Sequence, residues 1–222
     1  MARFAGIVDG KTVAVMDYSH KRRADCEVQD DGLIKATQER LSRRVIPAIR
    51  QAFQFNATRI ERHIVACYDA GDGGHFRAHR DNTTLGTAHR RFAVTLNLNA
   101  DEFEGGELWF PEFRRRKYGA PTGGAVVFSC SLLHEATQVT RGTRYAFLPF
   151  LYDDATARAR ERNRQHLAGG PPIRGVPTRG EGARADRGKR CDGTRLGRPP
   201  QSIRVTTRPL IVDANSTPGI AT

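Results

Sequence analysis

All 17 Phe, Tyr and Trp residues of this 222-residue chain lie at or before Tyr152, and residues 155–222 hold none. That last stretch carries instead seven of the 11 prolines and nine of the 22 glycines. Aromatic side chains bury the largest areas in a core, so a packed interior has to be built before residue 155. The Arg/Gly/Pro-rich remainder lacks the apolar surface to offset the entropy of ordering. Three parts are therefore expected: 1–32 as an N-terminal strand and connection, 33–154 as a folded domain with a leading helix, and 155–222 as a tail that is disordered beyond a short helix over 155–168.

Charge divides at the same place. The whole chain has a net charge of +12, but residues 155–222 carry 14 Lys/Arg against five Asp/Glu, a net of +9, which leaves +3 on residues 1–154. The folded part is nearly balanced, so the basic character of the chain does not make that part a nucleic-acid binder. No run approaches the roughly 18 apolar residues of a membrane span, and Met-Ala-Arg-Phe-Ala-Gly is not the start of a secretory signal. Four cysteines, Cys26, Cys67, Cys130 and Cys191, show no CxxC spacing. They read as reduced and structural, in a cytoplasmic protein.

Periodicity assigns the elements. Residues 11–18 (KTVAVMDY) read as a strand, followed by a charged connection with His20, Lys21, Arg22 and Arg23. Asp30 or Asp31 can cap a helix from Leu33 to Phe55, whose apolar face is Ile34, Leu41, Val45, Ile49 and Phe53, with a kink expected at Pro47. After Asn56 the period becomes two: 59–68, 92–99, 107–110, 124–129 and 143–152 read as strands separated by Gly- and Pro-bearing turns. One amphipathic helix followed by short strands predicts a mainly β, double-sheet fold with supporting helices. In FAVTLNLN, Phe92, Val94, Leu96 and Leu98 form one face, and Ala93, Thr95, Asn97 and Asn99 the other. That polar face either lines a wet pocket or faces solvent.

Of seven histidines, His79 stands out because His79-Arg80-Asp81 places an imidazole and a carboxylate on one side of a strand, with Arg80 on the other. A third ligand is available in His134, 53 residues after Asp81, which a double-sheet fold can bring opposite. Two His and one carboxylate on one face of an octahedron leave cis positions open, as non-haem Fe(II) requires. Ten residues later, Arg144 sits among Tyr145, Phe147, Leu148 and Phe150, a largely buried setting in which a cation needs an anionic partner. Tyr68 either donates its hydroxyl to that anion or is a core residue. His75 and His79 have the spacing of a zinc pair on a helix, but Gly71, Gly73 and Gly74 argue against a helix and position 76 is Phe, not the HExxH glutamate.

Three ordered blocks carry a family resemblance: CYDAGDGGHFRAHRD, RRFAVTLNLNADEFEGGELWFPE and GGAVVFSCSLLHEATQVTRGTRYAFLPFLY. From Cys67 to Asp153 the chain resembles the catalytic domain of the prolyl 4-hydroxylase-like 2-oxoglutarate- and Fe(II)-dependent oxygenases. The resemblance implies a double-stranded β-helix, or jelly roll. It also implies Fe(II) on His79, Asp81 and His134, and Arg144 paired with the distal carboxylate of 2-oxoglutarate, helped by Tyr68. Some relatives have Lys at the Arg144 position and an aromatic near Asn97. The implied reaction consumes 2-oxoglutarate and O2, releases succinate and CO2, and hydroxylates a C–H bond of a peptidyl proline or a small molecule, with L-ascorbate keeping the iron reduced. A different class of reading uses the tail: its Arg-Gly steps at Arg174, Arg179 and Arg187 can contact nucleic-acid phosphates, although no aromatic residue is there to stack on bases. The tail is otherwise an extension without a role of its own.

Overall fold

In the computed structural model, which describes residues 4–113, 115–163 and 210–211, the elements follow in chain order. They are β1 (Phe4–Val8), β2 (Lys11–Val15), β3 (Lys21–Arg22), β4 (Ala24–Glu27), α1 (Asp31–Phe53), β5 (Arg59–Glu61), β6 (Ile64–Asp69), β7 (His75–His79) and β8 (Phe92–Asn97). There follow β9 (Phe103–Gly105), β10 (Leu108–Trp109), β11 (Lys117–Tyr118), β12 (Ala125–Ser129), β13 (His134–Ala136), β14 (Val139–Phe147), β15 (Phe150–Tyr152), α2 (Asp154–Asn163) and β16 (Leu210–Ile211).

Helix α1 starts where the capping chemistry directs: the Leu33 N–H donates to Asp30 Oδ1 at 2.7 Å, satisfying one of the helix's unpaired donors. It ends at Gln54 in the left-handed conformation, and Pro47 lies inside it. Leu41, Val45 and Ile49 are its buried face, packed on Phe92, Val94, Val127, Phe147 and Leu151. Each such aliphatic side chain contributes about 1.5–3 kcal/mol by leaving water, and this stripe holds the helix against the sheet.

Among the described residues the larger sheet runs β16-β12-β8-β14-β6-β4, with β15 beside β5 and β8, and β9 beside β14. The second sheet runs β11-β10-β13-β7-β3. Leu108 and Phe110 on the smaller-sheet side pack with Ala93, Val126, Phe128 and Phe150 of the larger, closing the two into a jelly roll. The charged connection contributes structure that alternation does not reveal: β3 pairs with β7 and β4 with β6.

Two expected strands are broken. The segment 143–152 divides into β14 and β15 around Leu148 and Pro149, because proline has no N–H for a ladder. The segment 59–68 divides at Arg62, whose φ is 68°. The disorder and nucleic-acid contacts expected of residues 169–222 lie outside the described residues, apart from Leu210–Ile211, which pairs parallel with Val126–Val127. No helix of the described residues is long and apolar enough to cross a membrane.

Candidate metal centre

Strands β7 and β13 pair antiparallel with His79 directly opposite His134. The strand ends at His79, so Asp81 is not placed by strand geometry as the spacing predicts. Its N–H donates to the Cys130 carbonyl at 3.0 Å, and this bond brings its carboxylate over the two rings. Arg80 turns away as expected, to Glu112 at 2.6 Å and to the Ser131 carbonyl. His79 Nε2 lies 3.6 Å from Asp81 Oδ1 and His134 Nε2 lies 3.4 Å from Asp81 Oδ2. One donor atom from each of the three residues falls within 4.8 Å of the others. The His–Asp separations are loose for hydrogen bonds, and near what two donors about 2.1 Å from one ion at right angles require, roughly 3 Å.

The protonation pattern also fits a cation. His79 Nδ1 donates to the Arg77 carbonyl at 2.7 Å and His134 Nδ1 to the Leu132 carbonyl at 3.0 Å. A carbonyl only accepts, so Nδ1 carries the proton in each neutral ring and the Nε2 lone pairs face Asp81. Phe76 stacks on His79 with ring centroids 3.5 Å apart, which fixes the ring plane. Burial pushes His134 down to about 4, so the ring is neutral at pH 7 and binds metal without first losing a proton. Burial works against ionisation of Asp81, but the adjacent His134 and His79 outweigh it and hold the carboxyl well below the usual range. Two imidazoles that turn Nε2 toward one carboxylate are a donor set suited to non-haem Fe(II). His75 is not part of it, because both its ring nitrogens face carbonyls, Gly73 O at 2.7 Å and Ser19 O at 3.1 Å.

Arg144 is the second buried feature. It stands directly opposite Tyr68 in the β14–β6 register and is 2% exposed. Its Nε donates to Asn97 Oδ1 at 3.1 Å and its Nη2 to Thr95 Oγ1 at 3.2 Å, both neutral acceptors. Among the described residues no carboxylate forms a salt bridge with it. The polar face of FAVTLNLN is thereby explained: Thr95 and Asn97 are buried beneath Arg144 instead of facing solvent. The Tyr68 hydroxyl accepts from Arg23 Nη1 at 2.8 Å, which leaves its own proton to donate. His79, Asp81, His134, Tyr68, Thr95 and Arg144 all line one cavity, and beyond Thr95 and Arg144 a further space of about 410 Å³ opens.

Arg23 and Arg62 line the same cavity as the histidines. Spacing gives no signal for either, since each reads as a solvated charge. The nearest hint is that Arg62 interrupts an otherwise alternating run.

Residues 63–152 match the 2OG-Fe(II) oxygenase superfamily. A PKHD-type hydroxylase from Synechococcus sp. (strain JA-3-3Ab) is 33% identical over 89 residues, 37% of this chain and 39% of that protein. A second, from Prochlorococcus marinus, is 28% identical over 140 residues, 61% of this chain and 62% of that protein. The chain thus spans less than two thirds of the length of these relatives. A solved prolyl hydroxylase from Trichoplax adhaerens, in complex with a hypoxia inducible factor oxygen degradation domain peptide fragment, has the same fold. Its TM-score is 0.51 at 19% identity, over 72% of this chain and 74% of that one.

Proposed function

We propose, from the match of residues 63–152 to the 2OG-Fe(II) oxygenase superfamily, that the protein is a 2-oxoglutarate-dependent Fe(II) dioxygenase that hydroxylates a C–H bond. His79, Asp81 and His134 would hold the iron, and Arg144, aided by Tyr68, the distal carboxylate of 2-oxoglutarate. When bound, the iron with 2-oxoglutarate and O2 supplies an oxidant for C–H hydroxylation, with succinate and CO2 as co-products. The observation that carries this reading is that a facial His/Asp/His donor set and a buried arginine lacking a carboxylate partner line one cavity.

The residues have separable tasks. The carbonyls of Arg77 and Leu132 fix the tautomers of His79 and His134, so that each presents an unprotonated Nε2. Asn97 and Thr95 orient the guanidinium fork of Arg144, and a pre-set fork recognises a carboxylate with little further loss of freedom. Apolar neighbours, among them Phe76, Phe128 and Leu148, line the cavity and limit water around the reacting atoms. The substrate is a prolyl residue of a peptide or a small molecule, in keeping with the names of the relatives, and L-ascorbate is the accessory reductant. A cytoplasmic setting accords with Cys130 standing as a buried free thiol.

Anaerobic reconstitution with Fe(II) and 2-oxoglutarate tests the proposal. A charge-transfer band is expected that disappears in His79→Ala and His134→Ala, and succinate is expected once O2 is admitted. A wild-type protein showing neither band nor succinate is not such an enzyme.

A further inference from the structure

The cavity that holds the candidate metal ligands has a second cationic wall. Arg23 is held on both sides: its Nη2 donates to Asp25 Oδ2 at 3.1 Å and its Nη1 to Tyr68 Oη at 2.8 Å, while its buried Nε lies 2.8 Å from Asp25 Oδ1 as a charge contact without hydrogen-bond geometry. Arg62 is not. Its Nη2 reaches Asp25 Oδ2 at 3.3 Å, and its other N–H groups have no hydrogen-bond partner among the described residues. Lys21 Nζ lies 3.9 Å from the same Asp25 oxygen, so one carboxylate faces three basic side chains.

Charge balance shows what is missing. A divalent iron, Asp81, doubly ionised 2-oxoglutarate and Arg144 sum to zero. Burial pulls Lys21 down to about 6, so at pH 7 it is largely neutral. Arg23 and Arg62 against Asp25 still leave one positive charge on the wall after metal and cosubstrate are bound. The Arg62 side chain is 28% exposed, so water meets this charge in the free protein, and a substrate that displaces that water leaves the charge unmatched, at a cost, unless it brings an anion. The backbone is unusual at the same residue: Arg62 has φ 68°, a left-handed conformation uncommon for a residue with a Cβ, and it lies in the break in the chain between β5 and β6. Its guanidinium lies 5.6 Å from the centre of the Phe150 ring, and both residues line the cavity.

Given the dioxygenase reading above, we infer that the substrate carries a carboxylate of its own close to the carbon to be hydroxylated, and that Arg62 binds it through its unused N–H groups. Arg62 is thus a specificity-determining residue. A free amino acid supplies this group as its α-carboxylate, and a peptide supplies it as an acidic side chain beside the reacting residue.

The test uses the full chain loaded with Mn(II) and 2-oxoglutarate without O2, and calorimetric titration with matched probes. One set pairs the free proteinogenic amino acids with their α-amides; the other pairs capped Ala-Pro-Glu with capped Ala-Pro-Gln. The acid member of a pair should bind at least about tenfold more tightly than its neutral match, a difference of about 1.4 kcal/mol, and the set in which this occurs identifies the source of the carboxylate. Arg62→Gln should abolish the preference and leave 2-oxoglutarate affinity within about twofold, since Arg144 is untouched. Equal binding of acid and amide in both sets, absence of binding by every probe, or a preference that survives Arg62→Gln overturns the inference. If Arg62→Gln does not fold, the wild-type acid/amide comparison decides alone. Failure of 2-oxoglutarate itself to bind the Mn(II) form counts against the dioxygenase reading, a result distinct from loss of the acid preference.

Discussion

Replacing Arg144 by Gln separates a cosubstrate anchor from a structural cation. In the ligand-free protein the guanidinium is 2% exposed and meets two neutral oxygens, Asn97 Oδ1 and Thr95 Oγ1, with its central carbon 5.2 Å from the centre of the Tyr68 ring. Burial lowers its pKa, so its surroundings work against the charge when no carboxylate is present. The substitution therefore loses two hydrogen bonds of about 1 kcal/mol each and removes an incompletely matched buried cation, two effects of opposite sign. The urea-melt stability of the apoprotein should move by no more than about 1–2 kcal/mol. Binding of 2-oxoglutarate loses a paired, charge-assisted contact worth about 3–6 kcal/mol, at roughly 1.5–3 kcal/mol per bond. At about 1.4 kcal/mol per tenfold, affinity should fall by at least ~100-fold. Calorimetric titration of 2-oxoglutarate into the Mn(II)-loaded protein, beside urea melts of the metal-free protein, measures both quantities. An affinity within about threefold of wild type, together with a stability loss above about 3 kcal/mol, would refute the reasoning and make Arg144 a structural residue.

Three further outcomes follow from the same geometry. His134→Ala should weaken Mn(II) binding by more than the roughly 10–100-fold that losing a hydrogen-bond partner behind a ligand costs, and unchanged affinity by calorimetry would remove His134 from the site. Gly106 has φ 69°, and a Cβ there would come within 2.9 Å of Arg144 Cδ and of Val139 Cγ2; Gly106→Ala should therefore raise the KM for 2-oxoglutarate several-fold and cost about 1–2 kcal/mol of stability from the left-handed backbone alone, as kinetics and urea melts can show. Burial opposes ionisation of Glu61, but His89, Arg90 and Arg160 outweigh it and lower its pKa from 4.5 to about 2. A lowered folded-state value means stability that is present above pH 4.5 and lost as pH falls toward 2, on the order of 3 kcal/mol in all, and Glu61→Gln should flatten the acid limb of the stability–pH curve by that amount.

How far such features can be read from sequence depends on whether they are local. His79 and Asp81 are two residues apart and His134 follows a strand that must return beside them, so ligand type and strand period place all three near one another. The fine placement is not local: Asp81 is held by a backbone bond to Cys130, 49 positions away, and no periodicity encodes that bond. FAVTLNLN has the same alternation whether its polar face meets water or a buried cation, and only the antiparallel seating of β14 beside β8 decides for the cation. The wall of Lys21, Arg23 and Arg62 is further from view, because each is an ordinary surface residue by composition. Its consequence arises only when strand pairing brings residues about forty positions apart onto one carboxylate, Asp25. Residue type thus carries the metal chemistry into the sequence, whereas the charge left over for a substrate is a property of the assembled cavity. Substitutions that conserve every motif but neutralise Arg62 should therefore leave the family resemblance intact while changing what the cavity accepts.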